Sequence, residues 1–196
     1  HSMGNSTGNI KEFWEQFRSR ERLIGGCIWE FKDQGLYKTD ANGKQYLAYG
    51  GDFGEKYFDD FTLKGVVQSD GTPHTAIYEC KHVFQPVECE LIDSEQRLIR
   101  ITNRHATKSL SGYVISLKLL ENGLEILNRE IPSLTLAAGK DTVISCKSLL
   151  PKQKEGKEYL LTISFHLKNE LPWAKPGHEV ASNQFSLSSL STTYPS

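Results

Sequence analysis

The sequence predicts an α/β region followed by an all-β sandwich. Three observations predict these classes. Within residues 1–84, two segments place apolar residues at helical spacing, and a compact apolar run lies between them. Within residues 85–187, the apolar period changes from 3.6 to 2, and turn residues separate short alternating runs. The Ser/Thr-rich stretch 188–196 has little to bury, so we expect a linker or a disordered end there.

The first expected element is an amphipathic helix that begins after Asn9. Its apolar side chains recur at the i, i+3, i+4 and i+7 positions, which places them on one helix face. These side chains are Ile10, Phe13, Trp14 and Phe17. Asn9 and Glu12 have the spacing of a capping box. The pattern therefore predicts a helix with one buried face.

A buried parallel strand is expected over Leu23–Phe31. This apolar run contains two glycines and carries Trp29 near its end, so it would deliver that side chain to a ligand-facing loop. The order of helix, short loop and buried strand is typical of a parallel sheet or a barrel. From the residues alone, a Trp at a strand end is more often a core side chain than a ligand platform, so both interpretations stay open.

A hairpin and a second helix complete the α/β region. The hairpin spans Leu36–Leu47, and Asn42-Gly43 in its turn would supply positive φ angles. Thr72 as N-cap and Pro73 as the first helical residue begin a helix that ends near Val83. The residues expected to be buried on this helix are Ile77 and Cys80.

Short alternating runs after residue 85 predict an antiparallel β-sandwich of immunoglobulin type. Turn segments that contain glycine separate several of these runs. The predicted strands are Val87–Leu91, Leu98–Thr102, Tyr113–Leu119, Leu124–Ile131, Thr142–Cys146 and Tyr159–Leu167, with Phe185–Leu187 as a candidate last strand.

Composition excludes several classes of partner. The chain has 23 Lys and Arg against 24 Asp and Glu, a formal net charge of -1, so no overall field favours nucleic acid or an anionic membrane. No apolar run approaches the ~20 residues of a membrane span, and no signal-peptide pattern is present. We expect a soluble protein, cytoplasmic rather than periplasmic.

The titratable residues give no metal or disulfide signal. Four cysteines lie far apart without a C-x-x-C pair, and we expect small buried hydrophobes rather than a zinc site. These are Cys27, Cys80, Cys89 and Cys146. Five internal histidines show no metal spacing and fit surface or capping positions: His74, His82, His105, His166 and His178. From the residues alone, Glu30, Asp33 and Asp52 stay possible catalytic carboxylates.

Several motifs, in one order, resemble the β-galactosidases of glycoside hydrolase family 2. They are His1-Ser2-Met3-Gly4-Asn5-Ser6, the Gly25–Phe31 run with Asp33-Gln34, Ala48–Gly54, Thr72-Pro73-His74 with Lys81-His82, Trp173-Ala174, and Gly177–Ala181 with Gln184. The resemblance implies that residues 1–84 are the last strand and flanking helices of a catalytic (β/α)8 TIM barrel. Residues 85–187 would then be the β-sandwich domain that follows the barrel.

The resemblance also implies a chemistry. Such enzymes are retaining glycosidases, in which a nucleophilic carboxylate and an acid/base carboxylate lie ~5–5.5 Å apart. In the family pattern, the nucleophilic Glu stands three residues before the residue that matches His1, and the acid/base Glu lies further upstream. We therefore expect a fragment, cut at His1, that is inert alone and meets its β-galactoside substrate only within a completed barrel. The parent would be a homo-oligomer that uses Mg²⁺.

The resemblance assigns four substrate-binding residues. His1 matches a His that contacts the sugar, and Trp29 matches the Trp that lies under the galactose ring, where an aromatic face suits the apolar C–H side. Phe61 matches a Phe whose carbonyl helps to hold sodium. Lys64 stands where the family has an Asn that ligates this sodium, and an ammonium repels a cation. We expect Lys64 to replace the ion; a solvent-directed Lys64 is the alternative.

A second function class remains. The sandwich could serve as a non-catalytic spacer or a carbohydrate-binding module. Its aromatic residues Tyr159 and Trp173 fit core or hinge positions better than a sugar-binding surface. Under the hydrolase interpretation, Glu30, Asp33 and Asp52 are structural polar groups bonded to backbone or Arg. Uncovered apolar faces of the barrel remnant would then drive association or partial disorder of the chain.

Overall fold

The computed structural model describes residues 1–5, 7–54, 56 and 61–187. The chain divides into two compact units, His1–Phe84 and Gln85–Ser196. The tail at 188–196, expected to be a linker, lies outside the described residues. Each unit has its own cluster of buried side chains. The units are therefore described one at a time.

The first unit contains two helices and one hairpin. Its elements are α1 Ile10–Ser19, β1 Leu36–Thr39, β2 Gln45–Ala48, a 3-10 turn Gly50–Phe53, and α2 Thr75–Val83. A small core joins the helices to the segment before α2, and its buried members are Ile10, Val66, Val67, Cys80 and Val83. Within the part of the chain that the structure describes, no helix is long and apolar enough to cross a membrane.

Helix α1 forms as predicted, but its predicted capping box does not. Ile10 is buried, and Trp14 packs against the small core, whereas Phe13 is 62% exposed. Asn9 has φ -108° and ψ 20°, and its side chain makes no capping hydrogen bond. A capping side chain reaches the first free N–H groups from an extended backbone, which Asn9 does not have.

The predicted strand Leu23–Phe31 is wrong over most of its length. Residues 23–29 have no regular strand structure, and Ile24 is fully exposed. Instead, residues 30–33 lie beside 64–67, with a parallel bridge between Lys32 and Val67. A strand forms only where a neighbouring strand shares its backbone hydrogen bonds. Among the described residues, only 64–67 pair in this way with the segment, and they pair with residues 30–33.

The predicted hairpin is confirmed and consists of β1 and β2. Leu36 pairs with Ala48 at its open end, and Thr39 pairs with Gln45 next to the turn. Asp40 Oδ1 accepts hydrogen bonds from the backbone N–H groups of Asn42 and Lys44, which closes the turn. Gly43 has φ 82°, but Asn42 does not have a positive φ. The turn therefore uses one left-handed residue where two were expected.

Helix α2 begins later than predicted. His74, not Thr72, is the N-cap residue, and Thr75 is the first helical residue. Pro73 lies in an extended segment that bridges to Val67. Cys80 is buried as predicted, and Ile77 packs partly buried against the same core.

The second unit is the predicted sandwich, and its described residues, 85–187, form seven strands in two antiparallel sheets. One sheet has the order β3-β4-β7, and the other has the order β6-β5-β8-β9. The strands are β3 Val87–Asp93, β4 Leu98–Asn103, β5 Tyr113–Glu121, β6 Leu124–Ile131, β7 Asp141–Ser145, β8 Tyr159–Leu167 and β9 Glu179–Ser186. The last strand begins at Glu179, six residues before the predicted Phe185. Polar residues interrupt the apolar alternation over this part of the strand, so the sequence pattern does not reveal it.

Alternation explains how the two central strands form. Leu117 pairs with Ile163 and Leu119 with Leu161, and all four side chains are fully buried in the core shared by the two sheets. Every second residue faces the other side of the sheet, so the polar residues between them face away from this core. The Asn122-Gly123 turn joins β5 to β6 with φ angles of 49° and 81°, as a two-residue hairpin turn requires.

The cysteines follow the expectation at three of four positions. Cys80, Cys89 and Cys146 are buried and reduced, but Cys27 is exposed because its segment is not a buried strand. Burial raises the pKa of the Cys89 thiol to about 12 and that of Cys146 to about 11. These two thiols are core side chains without thiolate chemistry at neutral pH.

Candidate functional site

The four predicted substrate-binding residues lie in one continuous group. His1 and Trp29 line the same open cavity of about 340 Å³. The His1 and Phe61 rings pack with centroids 5.1 Å apart and planes tilted by 58°. Lys64 Nζ lies 4.7 Å from the centroid of the Phe61 ring. The structure thus brings together residues separated by up to 63 positions.

Aromatic and aliphatic side chains form most of the cavity wall. Helix α1 supplies one side and the segment 26–29 supplies another. The remaining lining residues are Thr7, Ile10, Phe13, Trp14, Phe17, Gly26, Cys27, Ile28 and Phe84. Trp29 is 58% exposed, so its ring is available to a ligand. A wall with aromatic faces and a few polar groups suits a ligand with an apolar face and a polar rim.

Lys64 is buried, at 8% exposure, rather than directed into solvent. Its ammonium lies over the face of Phe61, and among the described residues no carboxylate lies within ion-pair distance of it. A desolvated ammonium over an aromatic ring is stabilised by about 2 kcal/mol or more. The site therefore contains one fixed positive charge beside Phe61.

One peptide group connects the segments that carry these residues. The carbonyl oxygen of Lys64 accepts hydrogen bonds from Ser2 N at 2.9 Å and from Glu30 N at 3.0 Å. Ser2 follows His1, and Glu30 follows Trp29. On the other side of the same peptide, Gly65 N–H donates to Asp33 Oδ1 at 2.7 Å. The Lys64–Gly65 peptide is thus bonded at both of its polar groups.

Both carboxylate oxygens of Asp33 have hydrogen-bond partners. Its side chain is 5% exposed, and its second oxygen, Oδ2, lies 2.7 Å from His74 Nε2. Because a carboxylate oxygen only accepts, Nε2 carries the donated hydrogen. The predicted backbone hydrogen bond to Asp33 is confirmed, while its second partner is His74 rather than an Arg. His74 is at the predicted kind of position, the N-cap of α2, but its side chain bonds Asp33 instead of the helix.

Glu30 and Asp52 differ in how they are satisfied. Asp52 Oδ2 accepts from Tyr49 N at 3.0 Å, which confirms its structural role. Glu30 Oε2 lies 3.4 Å from Gln34 Nε2, but Oε1 is buried and finds no hydrogen-bond partner among the described residues. Glu30 was expected to bond backbone or Arg, whereas the hydrogen bond that the structure shows for its carboxylate comes from the Gln34 side chain.

The sandwich offers less for a ligand. Tyr159 is almost fully buried and donates its hydroxyl hydrogen to Glu121 Oε2 at 2.6 Å, so its ring face is inaccessible. Trp173 is exposed, and its ring meets His178 edge-on at 5.5 Å. Across the residues that the structure describes, no group of three or more His, Cys, Asp or Glu side chains could hold a metal ion.

Comparison with known proteins gives the class of this chain. Residues 1–89 match the family model described as the TIM barrel domain of glycosyl hydrolases family 2. Residues 99–188 match the model described as domain 4 of β-galactosidase. The two matches follow one another and leave few residues between them. The chain therefore belongs to glycoside hydrolase family 2.

More particularly, the chain is similar to the β-galactosidases of that family. It is 37% identical to a β-galactosidase of Priestia megaterium over an alignment of 189 residues. This alignment covers 95% of this chain and 18% of that protein. It is also 36% identical to a β-galactosidase of Psychromonas ingrahamii, in an alignment that covers 97% of this chain and 18% of that protein. A β-galactosidase of Photobacterium profundum is likewise 36% identical, with 98% of this chain and 19% of that protein covered. The chain thus spans less than a fifth of these relatives, and the resemblance seen in the motifs is confirmed.

Proposed function

We propose that this chain supplies one wall of the sugar site in a retaining β-galactosidase. The observation that carries the proposal is that His1 and Trp29 line one cavity, with Phe61 and Lys64 packed behind His1. Trp29 would lie under the apolar face of a galactosyl ring, and His1 would contact a hydroxyl. The substrate class is a terminal β-D-galactoside.

The fold interpretation that accompanies this proposal has two parts. Residues 1–84 would be the end of a (β/α)8 barrel, and the parallel pairing of 30–33 with 64–67 supports a parallel arrangement. Residues 85–187 would be an immunoglobulin-like sandwich, which sheets of three and four antiparallel strands support. Residues 188–196 would be a linker after the sandwich.

The reacting carboxylates would lie outside this chain. We propose that the nucleophilic Glu stands three residues before the position of His1 and that the acid/base Glu lies further upstream. Two of the candidate carboxylates, Asp33 and Asp52, do not line the cavity and accept hydrogen bonds from backbone N–H groups and His74, which supports this assignment. The nucleophile would attack the anomeric carbon, and the acid/base residue would protonate the leaving oxygen. The sequence of the whole protein upstream of His1 tests this directly.

Replacement of Trp29 tests the sugar platform in the whole protein. Removing the indole forfeits roughly 2 kcal/mol of buried apolar contact, so Trp29→Ala should lower kcat/KM for a nitrophenyl β-galactoside about 30-fold. Trp29→Phe keeps an aromatic face and should lose less. Trp173→Ala, an exposed Trp of the sandwich, is the matched control. Equal kcat/KM for Trp29→Ala and Trp173→Ala would contradict the proposal.

We propose that the Lys64 ammonium takes the place of the sodium ion that the family resemblance implies. The residue fits poorly as a sodium ligand, since an ammonium has no lone pair. Its burial over Phe61 supports a fixed charge. Hydrolysis by the whole protein should be independent of sodium at constant ionic strength, and clear activation by sodium over potassium would refute this role. Lys64→Met should lower activity, while Lys44→Met in the hairpin turn should not.

The chain alone should bind galactose and lactose too weakly for calorimetry to detect. Measurable binding would favour the alternative of a carbohydrate-binding module. We also propose that the whole protein is a cytoplasmic homo-oligomer and that residues outside this chain hold any Mg²⁺ it uses. Exposed side chains of the first unit, among them Phe31 and Leu36, would drive association of the isolated chain. A monodisperse monomer in light scattering would contradict that expectation.

A further inference from the structure

We propose that Asp33 and His74 are positioning residues of the sugar site, acting through the Lys64–Gly65 peptide. The inference rests on the proposed function for its catalytic readout, but its structural part stands on hydrogen bonds alone. Neither side chain lines the cavity. Both act on the backbone that holds the cavity residues.

The geometry gives a continuous path from Asp33 to His1 and Trp29. Asp33 Oδ1 accepts from Gly65 N, which fixes the plane of the Lys64–Gly65 peptide. The carbonyl of that peptide points the opposite way and accepts from Ser2 N and Glu30 N. Rotation of this peptide would therefore break the bonds that hold the residues next to His1 and Trp29.

The carboxylate is suited to this task because it is buried and bonded on both oxygens. A hydrogen bond to a charged acceptor is about twice as strong as a neutral one, and burial keeps water from competing. His74 Nε2 holds Oδ2 at 2.7 Å and prevents the carboxylate from turning away from Gly65. His74 N in turn donates to Val66 O, so the N-cap of α2 is fixed to the same segment.

Further bonds hold Asp33 itself. Its backbone N–H donates to Val67 O at 2.9 Å, and its carbonyl accepts from Ser69 Oγ at 2.9 Å. Ser69 Oγ also accepts from Gly35 N at 2.7 Å. The side chain therefore works from a fixed backbone, which is what a supporting residue needs to hold contact residues within a fraction of an ångström.

The first test measures amide hydrogen exchange at Gly65 in the 196-residue chain. Asp33→Asn should raise the exchange rate of the Gly65 N–H at least about 10-fold, since the charged acceptor is lost. The matched control is Asp40→Asn, in which the amide oxygen can still accept the two turn hydrogen bonds. Equal exchange at Gly65 in both variants would overturn the proposal.

The second test uses the whole protein and a nitrophenyl β-galactoside. Misplacement of contact residues by about 1 Å costs roughly 10²-fold, so Asp33→Asn should lower kcat/KM by that order and raise KM. A purely structural defect reduces the amount of active protein, which lowers the apparent kcat at constant KM. An unchanged KM would therefore refute the positioning role.

Variants at His74 keep the proposal testable if Asp33→Asn does not fold. His74→Gln retains a donor near the place of Nε2 and should restore most of the activity that His74→Ala loses. Identical kinetics of these two variants would contradict the role of the Nε2 hydrogen bond. If the wild-type whole protein hydrolyses no β-galactoside, the proposed function fails, while Gly65 exchange still decides whether Asp33 fixes the peptide.

Discussion

Replacement of Gly65 by Ala tests how closely the two paired segments must approach. A Cβ at position 65 would lie 2.4 Å from Asp33 N, 2.6 Å from Lys32 C and 2.9 Å from Lys32 Cα. All three are backbone atoms, and ordinary van der Waals contact begins near 3.4 Å. The segments would have to separate by about 1 Å, since backbone atoms have no alternative rotamer.

The size of the effect follows from two costs. Inserting a methyl group into a packed site costs about 1–3 kcal/mol. Separation also weakens the Gly65 N–H hydrogen bond to the Asp33 carboxylate, and bonds of this kind contribute about 1.5–3 kcal/mol. We expect Gly65→Ala to lower the free energy of opening of residues 1–84 by about 3–5 kcal/mol.

Hydrogen exchange resolved by segment measures this change, with the sandwich as an internal reference. Gly51→Ala is the matched control, because its Cβ would meet no atom within 4 Å and its φ lies outside the left-handed region. This control should change the opening free energy by no more than about 0.5 kcal/mol, or stabilise slightly through the unfolded state. If Gly65→Ala and Gly51→Ala agree within that margin, the close approach at Gly65 has no energetic weight.

Three further predictions concern thiols, protonation and the sandwich core. Cys27 should react with a maleimide in the native chain, whereas the three buried thiols should react only after unfolding; labelling of all four in the native state would contradict this. Burial lowers the pKa of His105 below its usual 6.5, so the unfolded state binds more protons than the folded state and stability should fall as the pH drops below about 6.5. The midpoint of urea unfolding should therefore depend less on pH in His105→Gln than in the wild type. An equal pH dependence in both proteins would refute this. Asn103→Ala should lower the free energy of urea unfolding by about 3–5 kcal/mol. Asn103 is fully buried, donates to Lys108 O and Leu136 O, and accepts from His105 N. The control Asn128→Ala, at an exposed position, should lower it by less than about 0.5 kcal/mol, and equal losses in the two variants would contradict the argument.

The sandwich could be predicted from the sequence because its information is local. A period of two places alternate side chains on opposite faces, so Leu117 and Leu119 are assigned to the core without knowledge of their partners. The Asn122-Gly123 turn likewise carries its own left-handed residues. The predicted last strand omits the first part of β9 because the polar residues there interrupt the apolar alternation. One of them, the half-buried Asn183, accepts hydrogen bonds from Gln85 Nε2 and Cys89 N.

The first unit was harder to predict because its structure depends on distant partners. An apolar run such as Leu23–Phe31 becomes a strand only beside other strands, and the described residues offer it only the segment 64–67. The shift of α2 from Pro73 to Thr75 has the same origin, since Pro73 is held extended by its bridge to Val67. Family resemblance supplied the four substrate-binding candidates, and the structure brings them together. The sequence names Asp33 and His74 singly, but no local pattern pairs them across 41 positions.

The backbone and the side chain of Lys64 have different roles. The backbone carbonyl of Lys64 holds Ser2 and Glu30, while its side chain places a charge over Phe61. Because the carbonyl is the same for every amino acid, a change of side chain at position 64 would alter the charge beside Phe61 and leave an acceptor for Ser2 N and Glu30 N in place. Gly65 has no such freedom, since any side chain there would meet the backbone of Lys32 and Asp33. We therefore expect substitution at position 64 to change the charge beside Phe61, and the arrangement of the segments at Ser2 and Glu30 to depend on Gly65 and Asp33.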